Sequence, residues 1–151
     1  MLNQFLIISE LHHFLLTLGI AILLYWRFRD RRLILACFLF GFLIDVDHFF
    51  DYFAYFGLNF RPILSFLTGD SFILSKKAYV PLHGWEYVIL FWLVTRWFGR
   101  KFKIKGLEWA APLSYLGHLL VDNFSFSHHP LAYFFTYRLI NNFSLESFNG
   151  F

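Results

Sequence analysis

Charge is scarce in this chain. Asp, Glu, Lys and Arg make up 15% of its 151 residues, against about 25% in an ordinary soluble domain. Cysteine is scarcer still. Cys37 is the only one, which excludes a secreted disulfide scaffold. Long polar tracts are missing, so a disordered chain is excluded too. The sequence has no internal repeat, no low-complexity stretch, no Gly-rich phosphate loop and no Ser-His-Asp arrangement. The net charge is only +3, and the bases sit in two short clusters rather than along one face. No nucleic-acid partner is expected from that pattern.

What is present is apolar. Hydrophobic residues reach 58% and aromatics 24%, with a mean hydropathy of +0.54. The length suits one domain over residues 1–151, and the composition predicts an integral membrane protein with membrane lipids around it. Four stretches approach the ~20 apolar residues of a membrane helix: about Phe5 to Trp26, Leu33 to Phe56, a shorter one from Trp85 to Phe98, and Leu107 to Phe124. The first stretch does not read as a signal peptide, because no basic residue precedes it and no small-residue cleavage site follows. The expected fold class is therefore all-α, a bundle of about four transmembrane helices. The connection over 58–84 is long enough to carry a short interfacial helix. The aromatic segment after Pro130, from Leu131 to Ile140, predicts a C-terminal helix lying in the interface.

The connections give the orientation. Nine of the 13 Lys and Arg residues fall at 27–32 and 96–105. The positive-inside rule places those two connections in the cytoplasm and both termini outside.

An ionisable group inside a membrane helix costs about 2.5–3.5 kcal/mol on insertion scales, so each needs a reason. Here they converge. His12 and His13 lie on the first stretch, Asp45, Asp47, His48 and Asp51 on the second, His83 and Glu86 at the start of the third, and His118 and Asp122 on the fourth. At 1.5 Å per residue, all stand roughly 15–28 Å from the cytoplasmic ends. His118 and Asp122 are four apart and share a helix face, as do Asp45, His48 and Asp51 at steps of three. His13 shares a stripe with Ser9 and Thr17, while His12 points about 100° away. Acids and imidazoles in one layer call for a counter-charge. Their ligand set suits zinc, manganese or iron, and the number of candidates suits two or more ions. The predicted ligands are His13, Asp45, His48, His83, Glu86, His118 and Asp122. Asp47 and Asp51 are expected to act as general base or as orienting carboxylates behind the ligands. His128, His129 and Glu10 read as exposed groups. A plain hydrogen-bonded His118–Asp122 pair is the structural alternative for that motif.

These motifs resemble the bacterial inner-membrane metal-dependent hydrolase family, the hydrolases described as LexA-binding. Leu43-Ile44-Asp45-Val46-Asp47-His48 matches its Leu-x-Asp-x-Asp-His motif, and His118 to Asp122 matches its His-x-x-x-Asp motif. His13 is similar to its N-terminal histidine and His83 to the last histidine of its third motif. The first His-Arg of that third motif is absent, with Ala78 near its place, and Glu86 stands as the replacement ligand. The wider group is similar to zinc-dependent phospholipases C. The resemblance implies a membrane-embedded metal-dependent hydrolase of the bacterial inner membrane, acting on a phosphoester such as a lipid head group. Two non-enzymatic readings compete with it. One is a haem-binding bundle with His13 and His118 as axial ligands. The other is an ion or proton conduit.

Overall fold

The computed structural model describes residues 2–59, 69–127 and 129–149. The described chain is helical, and its one β feature is an isolated antiparallel bridge between Lys77 and Ser144. Helix α1 spans Leu2–Phe28, α2 Arg32–Gly41, α3 His48–Phe56, α4 Asp70–Ser75, α5 Tyr87–Phe102, α6 Leu107–Phe126, α7 Phe135–Ile140 and α8 Glu146–Asn149. A 3₁₀ turn, Leu43–Asp47, links α2 to α3.

Helix α6 is the hub, packed against α1, α2 and α5, and α1 also packs on α2. Small residues make this possible. Ala110, Ala111, Ser114 and Gly117 are buried on α6 and let its neighbours approach closely. The tightest point is Gly41. A Cβ there would sit 2.6 Å from the Thr17 hydroxyl and 2.8 Å from the Ser114 Cβ. At this crowded point the second expected span breaks, and the segment Leu43–Phe56 turns 47° from Arg32–Gly41. The expectation of one continuous helix from Leu33 to Phe56 is corrected accordingly.

The faces of α1 are inverted relative to a soluble helix. Ser9, His13, Thr17 and Ala21, spaced by four, are buried, while Leu11, Leu15, Leu23 and Trp26 are each more than half exposed. Helix α1 is also the one described helix long and apolar enough to cross a membrane, over Ile8–Phe28. The bent pair from Arg32 to Phe56 makes a second if it counts as one span. The third expected span is a helix of 16 residues, about 24 Å long at 1.5 Å per residue. The fourth has the length, 20 residues, but contains Pro112, His118 and Asp122.

The expected interfacial helix near the C-terminus is shorter than the aromatic run suggests. Only Phe135–Ile140 is helical, because Pro130 to Phe134 form turns that carry their own hydrogen bonds. The helix expected within 58–84 falls partly outside the described residues. The described part contains α4.

Candidate metal centre

Helices α1, α6 and the 3₁₀ turn bring their ionisable groups to one place, and the loop before α5 adds a fourth contribution. His83 Nε2 and His118 Nε2 lie 3.0 Å apart. Asp45 Oδ1 is 3.2 Å from the first and 3.3 Å from the second. Asp122 Oδ2 is 3.4 Å from His83 Nε2 and 3.2 Å from His118 Nε2. Four atoms from three chain segments, the 3₁₀ turn, the His83 loop and α6, thus face one another at nearly equal spacing.

The outer nitrogens of the two rings are fixed. His118 Nδ1 is 3.2 Å from the Gly41 carbonyl, which can only accept, so that nitrogen carries the proton. The break after Gly41 leaves this carbonyl outside a regular helix, where the Thr17 hydroxyl also donates to it. His83 Nδ1 is 3.0 Å from Asp47 Oδ2, a carboxylate oxygen that already accepts from the Leu82 backbone N–H. With both Nδ1 atoms protonated, both neutral rings direct Nε2 lone pairs at each other. Only a cation between them makes that arrangement favourable, either a proton or a metal. Burial opposes a charge on His83, but the carboxylates of Asp47, Asp45 and Asp122 outweigh it and push this imidazole up to about 9.

The other oxygens of the same two acids face α1. Asp122 Oδ1 is 3.1 Å from His13 Nε2, and Asp45 Oδ2 is 3.9 Å from His13 Nδ1. The His13 ring lies against His118, with centroids 4.1 Å apart. His13 Nδ1 and Asp45 Oδ2 are buried without a hydrogen-bond partner among the described residues. Glu10 belongs here as well: it, His13 and Asp45 can bring ligand atoms within 4.8 Å of one another. Two further groups of three, His13 with His118 and Asp122, and Asp45 with His48 and His83, meet the same spacing. These buried His and Asp groups are close enough to hold a metal ion. His48, its side chain 30% exposed, stands 3.5 Å from Asp45 Oδ1 on the open side.

Two expected site residues have other employment. Both oxygens of Asp51 accept from the backbone, from Tyr79 N–H at 2.6 Å and Val80 N–H at 2.9 Å. Those bonds tie Asp51 to the loop that carries His83. Both oxygens of Glu86 accept from the start of α7, from the backbone N–H of Phe135 and Thr136 and the Thr136 hydroxyl. It caps that helix and lies outside the ligand groups. Asp47 stands against the Nδ1 side of His83. His12 is exposed, as its direction on α1 requires. His129 stacks on Tyr137, and His128 lies outside the described residues.

Glu10 is exposed, as expected, and three residues before His13 it joins one of the ligand-spaced groups. Two further positions support the site without having been expected to. The Tyr115 hydroxyl donates to the Leu82 carbonyl and accepts from the Gly84 N–H, clamping both sides of His83. Arg138 is fully buried and donates to the Val80 and Ala132 carbonyls. No local pattern in the sequence marks the last two, because their partners lie over 30 residues away or on irregular backbone.

No family model, no curated protein and no solved structure matches this chain.

Proposed function

We propose that this chain is a membrane-embedded, metal-dependent hydrolase of phosphoesters, with zinc as the preferred ion. The observation that carries the reading is the set of five distances among His83 Nε2, His118 Nε2, Asp45 Oδ1 and Asp122 Oδ2, all between 3.0 and 3.4 Å. Ligands about 2.0–2.1 Å from a tetrahedral zinc stand about 3.3–3.4 Å from one another. The orienting contacts on both Nδ1 atoms supply the second half of such a site.

A second ion would be held on the α1 side by His13, Glu10 and the remaining oxygens of Asp45 and Asp122. Bound divalent metal supplies water activation near neutral pH and charge stabilisation on phosphoryl oxygens. The chain supplies the rest. Asp47 holds His83 in the tautomer that directs Nε2 inward, and Gly41 does the same for His118. His48, on the open side, is where a substrate meets the cluster. The motif resemblance to inner-membrane metal-dependent hydrolases points to the same chemistry.

The inverted faces of α1 support the membrane placement. Leu and Trp outside with Ser, His and Thr inside is unfavourable in water and natural in lipid, where buried polar groups need each other. The four-span bundle, the bacterial inner membrane and the outward termini belong to this proposal, and the basic clusters at 27–32 and 96–105 support that orientation. A haem bundle fits poorly. Imidazoles on opposite faces of one iron need ring centroids about 6 Å apart with the macrocycle between them, whereas His13 and His118 are in contact at 4.1 Å.

The test uses the full chain in detergent. After chelation, zinc, manganese and iron(II) are returned separately, and hydrolysis is followed on a panel of phosphomonoesters and phospholipids. Hydrolysis lost on chelation and restored best by zinc is expected. Hydrolysis indifferent to chelation, or none on any phosphoester with metal bound, overturns the reading.

A further inference from the structure

The opposite end of α5 and α6 holds a second concave feature. A cavity of about 500 Å³ opens between the last turns of α5 and the first turns of α6, walled by Trp92, Arg96, Arg100, Lys103, Lys105 and Trp109. One acid, Glu108, lines it. None of its four bases forms an ion pair among the described residues; the one Arg or Lys that does is Arg32, with Asp30. The Arg96 guanidinium lies over the Trp92 ring at 4.9 Å, so it is held at the wall. Along α6 the metal centre begins at His118, ten residues beyond Glu108, about 15 Å away.

We infer that this basin binds the anionic phosphate headgroup of a phospholipid. Charge complementarity selects the anion, since four unpaired bases face one acid. The apolar rows above it select a lipid over free phosphate. Ile89 lies seven residues before Arg96 on the same face of α5 and is 68% exposed, and Leu113 lies one turn above Trp109 on α6 and is 40% exposed. A headgroup seated among the bases would lay its acyl chains along those rows. Basic pockets between helices at the cytoplasmic interface recognise anionic lipids in this way. The site is separate from the metal centre, but it rests on the membrane placement proposed above.

The experiment titrates the full chain, in neutral detergent micelles, with phosphatidylglycerol or phosphatidylcholine carrying brominated acyl chains. Quenching of tryptophan fluorescence reports lipid beside Trp92 and Trp109. Phosphatidylglycerol should bind more tightly than phosphatidylcholine. Arg96→Gln/Arg100→Gln should weaken it about 25-fold, at about five-fold per base. Arg29→Gln/Arg31→Gln, with the same charge change on the other basic connection, should not. Glu108→Gln should tighten binding about five-fold, which keeps the idea testable if the Arg96/Arg100 variant fails to fold. Equal quenching by the two lipids, equal loss in both double variants, or displacement by inorganic phosphate overturns the inference while leaving the membrane placement intact. A chain that stays soluble without detergent and takes up neither lipid overturns both.

Discussion

The two ends of the bundle solve the problem of charge differently. At the basic end, Arg96, Arg100, Lys101 and Lys103 are exposed, and their cationic heads need only solvent or an anion. At the other end, His13, His83, His118, Asp47 and Asp122 are all buried. There each charge is tolerable only because others converge on it. The contrast shows which polar groups carry information. Exposed bases set orientation and attract anions. Buried, mutually oriented acids and imidazoles specify a ligand, because leaving them unfilled is so unfavourable.

The contrast can be sharpened by substitution. His118→Ala removes one of the four facing atoms and, if the cluster holds zinc as proposed, should weaken zinc binding by more than about 100-fold, beyond the 10–100-fold typical of groups behind the ligands. Competition with a chromophoric chelator measures it. Neutralising Arg96 and Arg100 together should leave zinc affinity unchanged.

Asp47→Asn tests the layer behind the ligands. The amide oxygen can still accept from Leu82 and His83, but the negative charge that favours a metal-bound ring is gone. Zinc affinity should fall about ten-fold or somewhat more, with the fold intact by circular dichroism. No change in affinity would reduce Asp47 to a loop anchor like Asp51.

Metal binding should also depend on pH with a definite sign. In the metal-free protein His83 holds its proton up to about pH 9, so a metal must displace that proton at neutral pH. Apparent zinc affinity should therefore fall by about ten-fold for each pH unit from pH 8 to pH 6, per proton displaced. A flat profile would mean His83 is not a ligand.

The smallest effects mark the edges of the site. Glu86→Gln should lower thermal stability by roughly 1 kcal/mol through the weakened cap on α7 and leave metal content unchanged. His12→Ala should change neither. Elemental analysis and thermal melts on the two variants check both expectations, and metal loss in either one would redraw the boundary of the cluster.

Much of this site was legible in the sequence because helices convert spacing into faces. His118 and Asp122 at four apart, Asp45 and His48 at three apart, and His13 rather than His12 all followed from periodicity, and the structure brings all of these but His12 together. The illegible parts depend on contacts between distant segments. Glu86 bonds backbone about 50 residues away, and Asp51 bonds backbone almost 30 away, so both looked like site acids by proximity in sequence. The break at Gly41 has no proline to announce it. It arises where Thr17 and Ser114 press on a residue without a side chain, and it is what supplies the carbonyl that orients His118.

The central claim is that the His/Asp cluster holds metal, and Asp122 tests it most directly. It faces His83 and His118 with one oxygen and His13 with the other. The measurement is metal per chain, by elemental analysis of wild type and Asp122→Asn after dialysis against zinc-free buffer. The account predicts at least one zinc per wild-type chain and a large loss in Asp122→Asn, because the amide keeps the shape and hydrogen-bond acceptor but not the charge. Equal metal content in the two proteins, or a wild type that binds no divalent metal, would contradict it.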